Sequence, residues 1–132
     1  MSIKKQKIFH VINNKIISKY IISSSEYGEG NNSGSNQTPL GLHLIREKIG
    51  DDVPLNGKLI GRKFYGKIAK VYFDTTRSIT DDVTSRILWL EGMEEGVNKG
   101  QDIDSYKRYI YIHGTSEEGR LGSKSSHGCI RM

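Results

Sequence analysis

"RYIYIHGT", residues 108–115, alternates isoleucine with tyrosine and histidine and then breaks at a glycine. Side chains along a β-strand point to opposite faces with a period of two. The pattern predicts a strand with Ile110 and Ile112 on one face and Tyr109, Tyr111 and His113 on the other. His113 then closes the strand with its imidazole on the polar side, and Gly114 and Thr115 turn the chain away. A glycine-punctuated loop, "SEEGRLGSKS", leads from there to "SHGCIRM", residues 126–132, which carries the only cysteine, Cys129.

Upstream, the same period-two logic predicts a mainly β chain. "KIFHVI" and "IISKYIIS" read as two strands joined through Asn13 and Asn14, because asparagine tolerates the positive φ of a tight hairpin turn. "SSSEYGEGNNSGSNQT", residues 23–38, is a long polar loop. Its Gly28, Gly30 and Gly34 do not have the spacing of a dinucleotide fingerprint, and no helical pattern follows them. In "TPLGLHLI" Pro39 presets a turn, and Leu40, Leu42 and Leu44 alternate as one strand face, with His43 on the other as a plain surface or packed histidine. "GDDVPLNGK" is a loop, and "KIAKVYF" is a strand candidate. "TSRILWLEG" fits either a buried strand or a helix by periodicity. "MEEGVNKGQDIDSYK" is polar, with room for one helical turn.

Composition bounds the rest. A chain of 132 residues fits one domain, expected to span 1–132. One cysteine makes no internal disulfide, so the fold needs no oxidising compartment. The net charge of +5 is spread along the chain, apart from Lys4, Lys5 and Lys7, which read as a solvated chain end rather than a nucleic-acid or membrane contact. After them, "IFHVI" is shorter than the roughly 7–15 apolar residues of a secretory core. The expectation is a soluble cytoplasmic protein without nucleic-acid or membrane partners.

A thiol becomes a nucleophile when a nearby base takes its proton. His113 at a strand end and His127 beside the cysteine are the candidate bases. Gly128 permits a tight turn and close approach of a carbonyl substrate. Main-chain N–H groups of His127, Gly128 and Cys129 are then candidate donors to a developing oxyanion. Arg131, two residues past Cys129, shares its side of an extended segment and is a candidate grip for a substrate carboxylate. Ser126 and Tyr111 complete the candidate substrate contacts. His113, His127 and Cys129 are also possible zinc ligands, but His-x-Cys is not a usual structural pair and no fourth ligand lies nearby in sequence, so no metal or cofactor is expected.

"YIHGT", a short glycine-containing loop and "SHGCIRM" together resemble the signature of the L,D-transpeptidase catalytic domain, the YkuD family. "VINNKIISKYIIS" is similar to its opening hairpin, and "GSNQTPLGLHLI" to its Thr-Pro-x-Gly turn and following strand. "SRILWLEG" and "DSYKRYIYIHGT" resemble a signal-less subgroup. The resemblance implies a β-sandwich with little helix. Family members continue past the motif with a helix and a final strand, so it also implies a sandwich whose last elements are missing at Met132. It implies Cys129 as nucleophile, His113 as base, the Gly114 carbonyl as the group orienting the imidazole, His127 to Cys129 as the oxyanion stretch, and Arg131 as the arginine that helps hold substrate and the local turn. The implied substrate is a peptidoglycan stem tetrapeptide, cut before its terminal D-alanine. The signal-less relatives are associated with L,D-carboxypeptidase activity in murein recycling, which is the expected reaction here. Transpeptidation or D-amino-acid exchange is the alternative, and a non-catalytic wall-fragment or nucleic-acid binder the second.

Overall fold

The computed structural model describes residues 1–132. It contains eight strands and two single-turn 3-10 segments. β1 (Lys7–Ile12) and β2 (Lys15–Ile21) form an antiparallel hairpin. Asn13 and Asn14 both take positive φ, 48° and 61°, which gives the turn the twist that matches the flanking strands.

The second sheet has six strands. β3 (His43–Ile49), β4 (Gly57–Ile60), β5 (Lys63–Ile68), β6 (Val83–Gly92), β7 (Tyr111–Thr115) and β8 (Ile130–Arg131) are arranged around the ten-residue β6. β3 and β4 pair with successive stretches of the same edge of β6, and β7 pairs with its other edge. β8 adds in parallel beyond β7, with Ile112 opposite Ile130 and His113 opposite Arg131. A parallel neighbour needs a crossover, and the 116–129 segment supplies it.

The ambiguous "TSRILWLEG" is therefore a strand, and the central one. Its apolar run is continuous because both faces are covered: Ile87 and Trp89 join Val53, Leu59 and Tyr111 in one core, while Leu90 joins Ile22, Ile110 and Ile130 in the other. The hairpin contributes Ile8 to the second core, while the rest of β1 and β2 is exposed or half-buried.

Three strand expectations shift. In "KIAKVYF" only Lys67 and Ile68 are in a strand; β5 lies earlier, at Lys63–Ile68, because Gly61 and Arg62 both take positive φ and turn β4 back onto itself. Tyr109 lies outside β7 at φ 57°, one residue before the chain extends. The predicted alternation holds, with Ile110, just before β7, and Ile112 toward one core and Tyr111 and His113 on the opposite face, but Gly114 and Thr115 do not turn the chain away: they pair with Thr84 and Val83, so His113 lies mid-strand. That opposite face is buried, not solvated: Tyr111 is 8% and His113 5% exposed. The single turn at Gln101–Ile103 falls where the polar segment left room for it.

Candidate active site

Register decides which side chains meet. Because Ile112 faces Ile130 and His113 faces Arg131, the residue beside Tyr111 is Cys129. Tyr111, His113, Cys129 and Arg131 therefore project from one face of two adjacent strands. His113 and Cys129 are diagonal neighbours, on the order of 7 Å apart at their Cα atoms.

The glycines make this approach possible. A Cβ on Gly114 would stand 2.7 Å from the Thr84 carbonyl oxygen, so β7 closes onto β6 only because that side chain is missing. Gly128 sits at φ 125°, a conformation that strains other residues, and its carbonyl accepts from the Thr38 hydroxyl at 3.0 Å. The elbow is closed by Ser126, whose hydroxyl donates to the Cys129 carbonyl at 2.6 Å. Ser126 is 1% exposed, so its hydroxyl holds the turn and does not reach a substrate. The main-chain N–H groups of His127 and Cys129 donate to nothing within the chain. That leaves them as the open donors at the elbow.

Cys129 is half-buried and free. The Tyr111 N–H donates to its sulfur at 3.3 Å, and the thiol donates to the Tyr109 carbonyl at 3.4 Å. Burial raises its pKa to about 11, against the pull of the Tyr111 N–H. The thiol is therefore protonated at neutral pH. Burial pushes the His113 imidazole below its ordinary value, so that ring is neutral there. Its Nδ1 lies 2.7 Å from the Gly114 carbonyl oxygen. A carbonyl only accepts, so Nδ1 carries the proton and Nε2 keeps its lone pair. No hydrogen bond joins Nε2 to the sulfur; the thiol donates to the Tyr109 carbonyl instead. A neutral thiol beside a free-base imidazole suits base-assisted attack on a carbonyl, with the proton passing to nitrogen as the carbon–sulfur bond forms.

The Arg131 guanidinium is 2% exposed and already committed, to Glu117 at 2.8 Å and to Asp81 at 2.5 Å. Both pairs fasten the thiol strand to the loops carrying those two carboxylates, the turn-holding part of its expected role. Burial pushes Asp81 up, but Arg131 and His127 more than offset that and leave it lowered. His127, exposed, points away from the sulfur, with Nδ1 2.8 Å from Asp81 and Nε2 3.3 Å from Glu26. Its contribution to the elbow is its main chain. No three His, Cys, Asp or Glu side chains are placed to share a metal ion.

Several residues at the site carry no motif in sequence. Asp81 and Glu117 stand far from Arg131 along the chain and are joined to it only by topology. Arg108 donates to the carbonyls of Gly30, Asn31 and Gln37, pinning the long polar loop beside the elbow. A recess of about 290 Å³ opens between that loop and Tyr109, with His127 on its rim. Asn98, fully buried, bonds the carbonyls of Leu40 and Leu42 and so orders the approach to β3.

The model of the YkuD L,D-transpeptidase catalytic domain matches residues 1–132. Comparisons with curated proteins and with solved structures return no match. The mainly β fold, the histidine within β7 and the cysteine elbow agree with that match over the whole length: the chain belongs to the YkuD family of L,D-transpeptidase catalytic domains, peptidoglycan-directed enzymes.

Proposed function

We propose that the protein is a cysteine L,D-carboxypeptidase that removes terminal D-alanine from peptidoglycan stem tetrapeptides. Cys129 Sγ attacks the carbonyl of the third residue, and its proton passes to His113 Nε2. The oxyanion is received by the open N–H groups at the elbow. The carbon–nitrogen bond breaks, the imidazolium gives its proton to the leaving amine, and D-alanine departs. Water then attacks the thioester, giving its proton to Nε2; the carbon–sulfur bond breaks, tripeptide leaves and the proton returns to sulfur. Gly114 serves through its carbonyl, which fixes the tautomer that leaves Nε2 free.

The observation that carries the reading is the shared face of Cys129 and His113 on neighbouring parallel strands, with Nδ1 tied to the Gly114 carbonyl. The hydrolytic ending is supported by local charge. The carboxylates near the thiol are already paired, Asp81 and Glu117 with Arg131 and Glu26 with Arg77. Of the cations without a salt-bridged carboxylate, Arg108 lies within electrostatic range of the thiol and Arg62 bonds the phenol of Tyr111 beside it. Such a surround repels an ammonium-bearing acceptor and leaves water as the second reactant.

The test is an end-point assay with free tetrapeptide, with and without added D-amino acids. Tripeptide as the main product in both supports hydrolysis. Efficient exchange at the fourth position contradicts it and supports the transpeptidase alternative.

A further inference from the structure

Of the seven arginines, four rest on carboxylates: Arg46 on Glu91, Arg77 on Glu26, Arg120 on Glu117, and Arg131 on Glu117 and Asp81. Arg86 and Arg108 donate to main-chain carbonyls instead, Arg86 to Val53 and Ser85, Arg108 to the polar loop. Arg62 does neither. Its guanidinium centre lies 4.5 Å from the Trp89 ring centroid and 5.7 Å from that of Tyr109. Its one hydrogen bond is to the Tyr111 phenol, at 3.3 Å. A guanidinium has five N–H donors, so most of them are unspent.

Position sharpens the point. Arg62 is the second residue of the β4–β5 turn, at φ 66° after Gly61 at φ 53°. Glycine or asparagine is the preferred residue there, and arginine is a locally unfavourable choice. Its stacking on Trp89 and its bond to the Tyr111 phenol hold it in that conformation and leave most of its N–H donors open. The phenol that Arg62 touches belongs to Tyr111, whose main-chain N–H holds the Cys129 sulfur at 3.3 Å. A cation with no salt-bridged carboxylate (Glu47, in its field, accepts from the Tyr106 phenol instead), flattened against Trp89, thus stands one tyrosine side chain from the nucleophile. In a peptide that loses its last residue, the terminal carboxyl carbon is two bonds beyond the scissile nitrogen.

We propose that Arg62 is a specificity-determining residue: its free N–H groups bind the C-terminal carboxylate of the leaving residue and select donor peptides that end in a free acid one residue past the scissile bond. The assignment rests on the acyl-enzyme reading of Cys129 for its place in turnover, but its binding half is separable. Tyr111 holds the guanidinium in place, and Trp89 keeps it flat and partly desolvated, which strengthens a charge-assisted contact.

The experiment measures binding of a stem tetrapeptide and of its C-terminal amide to Cys129→Ala, by calorimetry, with and without Arg62→Gln. The expected result is that acid binds about 10- to 100-fold tighter than amide in Cys129→Ala, that Cys129→Ala/Arg62→Gln binds both alike, and that Arg62→Lys recovers part of the preference. Cys129→Ala/Lys63→Gln, altered at the exposed neighbour, keeps the full preference. Equal binding of acid and amide in Cys129→Ala overturns the assignment, as does a preference that survives Arg62→Gln. Intact-mass measurement of the protein with Cys129 present is run alongside on the same peptides. An acid preference by calorimetry without any covalent adduct upholds the anchor and counts against the acyl-enzyme reading instead.

Discussion

The state of a single proton separates this thiol from an activated thiolate. With a pKa of about 11, Cys129 is ionised at neutral pH to only about one part in ten thousand. Its reactivity therefore depends on His113 taking the proton during attack, and His113 is neutral because burial lowers its pKa. Two pH dependences follow. Alkylation of Cys129 by iodoacetamide rises continuously through pH 9, and a plateau reached below pH 8 contradicts a protonated resting thiol. The acid limb of kcat/KM, where His113 gains a proton and ceases to be a base, has its midpoint below the ordinary histidine value of 6.5. A midpoint above 6.5 speaks against this assignment of the base. His113→Gln lowers kcat by about 10²–10⁴-fold, the usual range for a lost general base, and leaves the acid limb without its histidine midpoint. Cys129 and His113 were legible as residues in the sequence because strand parity and the glycine elbow mark them. The resting contact of the thiol with the Tyr109 carbonyl was not, since it depends on Tyr109 leaving the strand at positive φ.

Among the elements, β8 is only two residues long, yet it carries the thiol. Two ladder pairings cannot hold it alone; the buried pairs from Arg131 to Glu117 and Asp81 do so from the side. Removing one member of a buried ion pair leaves the other uncompensated, at a cost of about 3–5 kcal/mol. Arg131→Ala is thus expected to lower the denaturation midpoint sharply and to abolish turnover through loss of the elbow. Unchanged stability in a urea titration contradicts the fastening role. Asn98→Ala removes bonds to two carbonyls and costs about 1–3 kcal/mol, with a smaller effect on activity. The sequence placed Arg131 on the correct face but could not show what it meets, because Asp81 and Glu117 reach it through loops whose paths no periodicity records. The same limit explains β5. Its strand begins where Gly61 and Arg62 turn the chain, and an arginine at positive φ is not a turn signal. The β1–β2 hairpin, by contrast, was readable because Asn13 and Asn14 are residues that its turn demands.

At the scale of the whole molecule, two sheets and one long central strand bring the ends of β7 and β8 together, and charge sets what approaches them. The net charge is +5, and Arg108, which has no carboxylate partner, lies within electrostatic range of the thiol. Raising ionic strength from 0.01 to 0.1 M shortens the screening length from about 30 to about 10 Å. The kcat/KM for an anionic tetrapeptide should fall several-fold over that range, and that for an uncharged amide analogue should hardly move; equal responses would set aside electrostatic guidance. Stability carries its own pH signature. Although burial raises Asp81, its paired cations lower it below 3.8 overall. A lowered carboxylate contributes stability above its unfolded value, and that contribution drains away as pH falls through the folded value. The protein should lose stability below about pH 4, and Asp81→Asn should flatten that limb in a melting series. The mainly β class, the hairpin and the placing of Cys129 and His113 on one face of neighbouring strands were legible because they are written in local periodicity and one motif. The buried ion-pair lattice and the Arg62 turn arise from contacts between distant segments. The most direct test is the intact mass of the protein after mixing with a stem tetrapeptide and quenching in acid. The account predicts a gain equal to the tetrapeptide less D-alanine on the wild type and none on Cys129→Ala; tripeptide release with Cys129 never modified, or an adduct that persists in Cys129→Ala, would contradict it.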